Sequence, residues 1–233
     1  SGTFSLAGAA SVQLITNTTK AYIGNSATAT ANNHAIVAAG GTVRVSASDD
    51  TKATMIAGGL GIGLGIGGVG LSGSILILNK DTQGFIGSYA QVDGLGNGDG
   101  QQALTGDITT TGEIGLEAVF NDNTTTFGSE VVKGVVVQAT SSEDIFSLGA
   151  AGAGGLAGGL AGGVTVELID SNTRAYIGAA TQINQSTSAH IAQEVRVTAL
   201  NDFQILAIGG GVALGSLGIS GGVDIGVLNN NVT

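Results

Sequence analysis

Hydrophobic positions in this chain follow a period of two, nested within a much longer period. "TVRVSAS" from Thr42 and "EVRVTAL" from Glu194 alternate valine with polar residues, the signature of a strand with one buried face. A glycine-rich apolar run comes next. In "AGGLGIGLGIGGVGLSGSILIL" from Ala57, residues Leu60, Ile62, Leu64 and Ile66 take every second position with glycine between them. One face of such a strand carries branched side chains and the other almost nothing, so a neighbouring backbone can come close. Both the aliphatic face and the bare α-carbons are expected to be buried. The stretches "LILNKDT", "LIDSNT" and "VLNNN" predict turns, because Asn, Asp and Ser hydrogen-bond their own backbone.

The longer period is carried by two phrases. "NTTKAYIGNSATATA", residues 17–31, returns as "KDTQGFIGSYAQVDG" from Lys80 and "SNTRAYIGAATQINQ" from Ser171, with the corner glycine at Gly24, Gly87 and Gly178. "VRVSASDD" from Val43 returns as "VVVQATSSED" from Val135 and "VRVTALND" from Val195. Their spacing defines a unit of about 61 to 63 residues, with an insertion of about 30 between Gly87 and Val135. Recurrence at a fixed offset marks the same corner of a stacked unit, each copy burying its apolar face on the next. One repetitive all-β domain over 1–233 is expected, with units at 1–51 (partial), 52–144 (carrying the insertion, 93–130), 145–203 and 204–233 (partial). Two architectures fit: a parallel, β-helix-like solenoid, or an antiparallel meander of Gly-faced sheets turning at Gly67-Gly68 and at residues 79–81. Periodicity does not choose between them. The opening "SGTF" and the terminal "GGVDIGVLNNNVT" read as a mature product or fragment, cut from a longer array or built to continue into another copy of itself.

Composition narrows the function. The 233 residues include 42 Gly and no Pro, Cys or Trp, with 10% charged. Absence of proline suits strands paired on both sides, and absence of cysteine removes disulfides, thiol catalysis and cysteine-ligated zinc. A net charge of −10 argues against nucleic acid, which needs clustered Lys and Arg. Three uncharged runs, 53–79, 145–166 and 204–223, have the length of membrane helices. Their glycine content is costly in a helix, and no Lys/Arg excess flanks them, so no membrane insertion is expected.

Catalytic signatures occur here by composition alone. "GISGG" around Ser220 fits G-x-S-x-G without the strand-to-helix turn that motif needs. Gly63, Gly65 and Gly68 fit G-x-G-x-x-G without an acidic residue for a ribose. His34 and His190 occupy unrelated positions and read as loop-edge residues. Asp49-Asp50 and Glu143-Asp144 follow the valine strands and read as solvated corners that block edge pairing. No enzyme is expected. The insertion is distinct: Asp93, Asp99, Asp107, Glu113, Glu117, Asp122 and Glu130 fall in it without a Lys or Arg between 93 and 130. "DGLGNGDGQ" has the form of one calcium-binding nonapeptide turn, with Asp93, Asn97 and Asp99 as oxygen ligands. No cofactor other than calcium is expected.

Taken together, "TTKAYIG", "TVRVSASDD" and the glycine-rich run resemble the repeat region of very large bacterial filamentous adhesins. These are haemagglutinin-like and leukotoxin-like surface proteins, many exported by two-partner secretion. The resemblance covers all but the insertion. It implies an elongated extracellular or cell-surface β-structure with stalk, adhesion or fibre duties, self-associating end to end, and no catalytic residues. The alternative is a calcium- or glycan-binding module in which the insertion, 93–130, grips a host or matrix glycan and the repeat is a scaffold.

Overall fold

The computed structural model describes residues 3–24, 28–111 and 124–233. The strands are β1 (Phe4–Ile23), β2 (Ile36–Ala39), β3 (Val43–Gly63), β4 (Gly67–Ile86), β5 (Gln91–Gly94), β6 (Gln101–Thr111), β7 (Thr124–Val132), β8 (Gly134–Gly155), β9 (Gly158–Ile177), β10 (Gln182–Ile183), β11 (Glu194–Leu214) and β12 (Leu217–Val232), and there is no helix among the described residues. A circuit of chain comprises a long strand, a short strand and a second long strand. Successive circuits lie in parallel register in three sheets, β1-β4-β9-β12, β2-β5-β10 and β3-β8-β11. Phe4 pairs with Gly67 and Gly67 with Gly158, so the recurring phrases lie beside one another. The insertion leaves the stack as the antiparallel hairpin β6-β7.

Parallel pairing overturns the antiparallel meander. Residues 64–66 join β3 to β4, yet β3 bonds to β8 while β4 bonds to β1 and β9, so this turn swings the chain from one sheet to the other. The turns expected at residues 79–81 and the bends expected at both acid pairs are absent too. Asn79 to Asp81 lie within β4, Asp49 within β3 and Glu143 within β8. Pairing on neighbouring strands outweighs the local turn preference of Asn and Asp, because each strand gains a ladder along its whole length.

Burial of the glycine-rich run is the reverse of expectation on one face. Its glycines do face inward: a Cβ on Gly70 would stand 2.0 Å from the Gly152 carbonyl oxygen, and one on Gly163 would stand 2.0 Å from that of Gly149. Two sheets usually pack about 10 Å apart with side chains between them. Here backbone meets backbone, leaving no room for aliphatics, which go outside. Leu60, Ile62, Leu71 and Ile75 are exposed, as is Leu64 on the connecting turn. Outward rows such as Val12-Ile75-Val166-Ile225 and Leu14-Ile77-Leu168-Val227 cross all four strands of the first sheet.

At the other end the sheets separate, and the short strands close the gap. Val43, Val45, Val135 and Val137 pack there against Ile86, Ala90 and Val92. The Ala-Tyr-Ile-Gly phrase forms that corner. Ile23 and Ile177 join the core, while Tyr22, Phe85 and Tyr176 stack outside with ring centroids 5.0 and 4.9 Å apart. Gly24 ends β1 at φ +72°, a conformation only glycine adopts freely. A second apolar layer of Ala53, Met55, Leu76, Leu78, Ile145 and Ile169 lies between the valine core and the glycine region.

Adjacent glycines test this arrangement. Gly163→Ala forces a Cβ into backbone on the opposite sheet and is expected to destabilise by about 3 kcal/mol or more, at or beyond the usual limit of overpacking. Gly162→Ala meets nothing closer than 3.7 Å and is expected to be neutral or stabilising by up to about 1 kcal/mol. Urea melts of the two variants make the comparison, and equal losses would refute the backbone contact.

Candidate functional site

Between the valine core and the second apolar layer, the stack encloses a charged layer. Asn17, Lys80 and Ser171 share one row of the first sheet, and Asp49, Ser141 and Asn201 share one row of the sheet opposite. Period-two alternation turns all of them inward. The Lys80 ammonium lies 2.7 Å from Asp49 Oδ1 and 2.9 Å from Glu143 Oε1, and donates to the Ser142 carbonyl at 3.0 Å. Its side chain has no exposed surface.

Hydroxyl and amide donors complete the layer. Thr19 Oγ1 donates to Asp49 Oδ2 at 2.7 Å, Thr51 Oγ1 to Oδ1 at 3.1 Å, and the Asn17 amide also donates to Oδ2. Ser141 and Ser171 donate to Glu143 Oε1 at 2.7 and 2.8 Å. Burial alone would raise the Asp49 pKa, but Lys80 and the two threonines outweigh it and hold it below its ordinary 3.8. These acids were expected at the surface. Asp49 and Glu143 are instead buried, and only Asp50 and Asp144 face outward. The sealed layer ties the two sheets together and offers no charge to a ligand.

A second polar pair lies nearer the glycine region, at the last circuits. Glu167 is buried in β9, with neither carboxyl oxygen hydrogen-bonded, and shares a cavity of about 360 Å³ with Asp224 of β12. Thr165 Oγ1 donates to Asp224 Oδ1 at 2.6 Å. Burial first, and the neighbouring Asp224 next, push the Glu167 carboxyl up to about 7 from 4.5. No sequence motif marks Glu167. Its only signal is an acid at an inward position, which is visible once the strand is placed.

The accessible polar site is a groove of about 480 Å³ beside the hairpin, lined by Asp50, Ser142 and Asp144 of the sheet and by Thr125 and Phe127 of β7. Ser142 Oγ donates to Asp50 Oδ1 at 2.6 Å, Lys52 lies 3.5 Å from Asp144, and Thr125 donates to Asp202 of β11. Hydroxyls, carboxylates and one ring converge there from three circuits and the insertion.

The residues proposed for calcium lie apart from this groove. Asp93 sits in β5 with its Oδ1 accepting the Gln185 N–H at 2.7 Å, and Asn97 donates to the Ser188 carbonyl at 3.1 Å. Asp99 is exposed in the loop before β6. Among the described residues no three of His, Cys, Asp and Glu gather as a metal site. Glu113, Glu117 and Asp122 lie outside the described residues. Ser220 lies within β12, and His190 holds a loop by accepting the Ala192 N–H at 3.0 Å. Comparison with known protein families, curated proteins and solved structures found no match.

Two measurements test the buried charges. Lys80→Ala leaves Asp49 and Glu143 uncompensated and is expected to cost about 3–5 kcal/mol in chemical denaturation. A depressed Asp49 pKa contributes stability present above 3.8 and lost as pH falls through its lower folded value. The raised Glu167 pKa acts in the opposite sense: the native state holds the proton that the unfolded state releases, so stability declines as pH rises from 4.5 to about 7. Glu167→Gln is expected to flatten that decline in pH-dependent thermal melts, and an unchanged slope would refute the assignment.

Proposed function

We propose that this chain is a segment of a bacterial extracellular filament or stalk, a parallel β-solenoid whose work is mechanical and adhesive, not catalytic. One observation carries the reading. Each circuit lies on the next in uninterrupted parallel register, and equivalent residues form continuous ladders, with Ile23, Ile86 and Ile177 inside and Tyr22, Phe85 and Tyr176 outside. Such an object lengthens by adding layers, each supplying the next with a row of N–H and C=O groups.

Both outermost circuits keep that capacity. β1 bonds only to β4, β12 only to β9, and β3 and β11 only to β8 among the described residues. Free edges of this length are normally blocked by bulges, prolines or covering segments, and this chain has no proline. They support end-to-end self-association by strand addition. The first sheet holds four strands and the one opposite three. A copy joining by its β1 over β12 therefore leaves one Val-x-Val position over β11 unfilled at each joint. The resemblance to filamentous surface adhesins supports the same reading, and with it an extracellular location.

A second reading concerns the hairpin groove. Asp50, Asp144 and Asp202 with Thr125 and Phe127 offer the mixture of acceptors, hydroxyls and ring surface that suits a sugar, and this favours a host or matrix glycan over calcium as ligand. Negative-stain images of the purified chain test the first reading: rods that lengthen with concentration are expected, and compact particles at every concentration would refute it. Removal of residues 101–132 is expected to leave rods intact and to abolish retention on a glycan array, if the wild type is retained.

A further inference from the structure

The outer face of the β1-β4-β9-β12 sheet is divided across its middle. Toward the glycine turns its rows are aliphatic, including Val12-Ile75-Val166-Ile225. Beyond Leu14 and Ile77 the next rows are Thr16-Asn79-Asp170-Asn229 and Thr18-Asp81-Asn172-Asn231. The aliphatic half spans about 33 Å of strand at 3.3 Å per residue, across four strands about 4.8 Å apart. With the polar half added, the face exceeds the roughly 800 Å² per partner that a stable interface needs.

Glycines on this face differ from those inside. A Cβ on Gly162 would meet nothing closer than 3.7 Å, one on Gly73 nothing closer than 3.9 Å, and one on Gly221 nothing within 4 Å. None has a positive φ. The fold of one chain therefore needs no glycine there, although glycine weakens a strand. Each hole also has a knob beside it. Leu71 on β4 is level with Gly162 on β9, and Gly73 on β4 is level with Val164 on β9.

We propose that this face binds a second copy of the chain, two-fold, with the axis parallel to the strands and midway between β4 and β9. That operation lays β4 of one copy over β9 of the other without shifting residues along the strand. Leu71 of each copy then meets Gly162 of its partner, and Val164 meets Gly73, so large residues fill glycine holes in both directions, as an isologous contact requires. The polar half agrees with the same axis. Asp81 falls opposite Asn172 and diagonal to Arg174, while Asp170 falls opposite Asn79, so no like charges face each other directly. This contact joins stacks side by side and does not depend on end-to-end growth.

Sedimentation velocity over a concentration series tests it, with far-ultraviolet circular dichroism confirming that each variant keeps its strands. The wild type is expected to dimerise. Gly162→Leu sets leucine against Leu71 of the partner and is expected to weaken dimerisation at least about tenfold, whereas Gly162→Leu with Leu71→Ala is expected to restore it. Ile75→Lys, at the centre of the face, is expected to abolish the side-by-side contact and leave single stacks. A wild type that stays monomeric at its highest soluble concentration would overturn the proposal. So would association insensitive to Gly162→Leu and Ile75→Lys, the behaviour expected of edge-to-edge growth alone. A monomer that floats with phosphatidylcholine vesicles would assign the face to lipid and likewise overturn it.

Discussion

The Gly152 carbonyl lies where a side chain on Gly70 would have to stand, and the Gly149 carbonyl holds the same position toward Gly163. This contact of backbone with backbone, repeated along β3, β4, β8 and β9, fixes the separation of the two long sheets at one end of the molecule. Nothing larger than alanine or serine fits deep between them, as the small buried cluster of Ala151, Ala153 and Ala161 shows. The aliphatics on alternate positions are consequently forced outward. The usual arrangement of apolar interior and polar surface is inverted over half of each strand, and the surface so created is the one that a second copy could cover.

Where the sheets diverge, the interior is filled in layers. Valines and isoleucines fill the widest part, an ionic layer centred on Lys80 follows, then Met55 with Leu76 and Leu78, and finally glycine against glycine. The ionic layer is costly to bury, but its partners come from β1, β3, β4, β8 and β9. Such a layer penalises any shift of one circuit against the next, since a slip of one residue would turn Asp49 out and leave Lys80 buried without its partner. Register here rests on charge as well as on the apolar pattern. Glu167 and Asp224, by contrast, share no cation among the described residues, and burial with Asp224 beside it pushes the Glu167 carboxyl up to about 7.

The division between stack and insertion follows from the same constraints. A circuit accepts extra chain only where its strands are not pressed together, and β6-β7 leaves at the wide corner after β5. There the hairpin covers Val136 and Gln138, outward residues of β8 that would otherwise face solvent. It contributes one wall of the polar groove, while Asp50, Asp144 and Asp202 of successive circuits contribute the other. The groove therefore belongs to no single repeat.

The amino-acid sequence by itself determined the strand character, the length of the unit and the Ala-Tyr-Ile-Gly corner, because period-two alternation and recurrence at fixed spacing are local properties of the chain. It also showed that the glycine run has one bare face. Local pattern alone could not fix which face turns inward, whether Asn79 to Asp81 would bend, or that Asp49, Lys80 and Glu143 would meet. Those depend on the separation of two sheets whose strands are distant in sequence, and on ladders formed with circuits 55 to 92 residues away. Once that separation is set by glycine, bulky side chains must leave, acids at inward positions must find a cation or keep a proton, and turn-forming residues are drawn into strands.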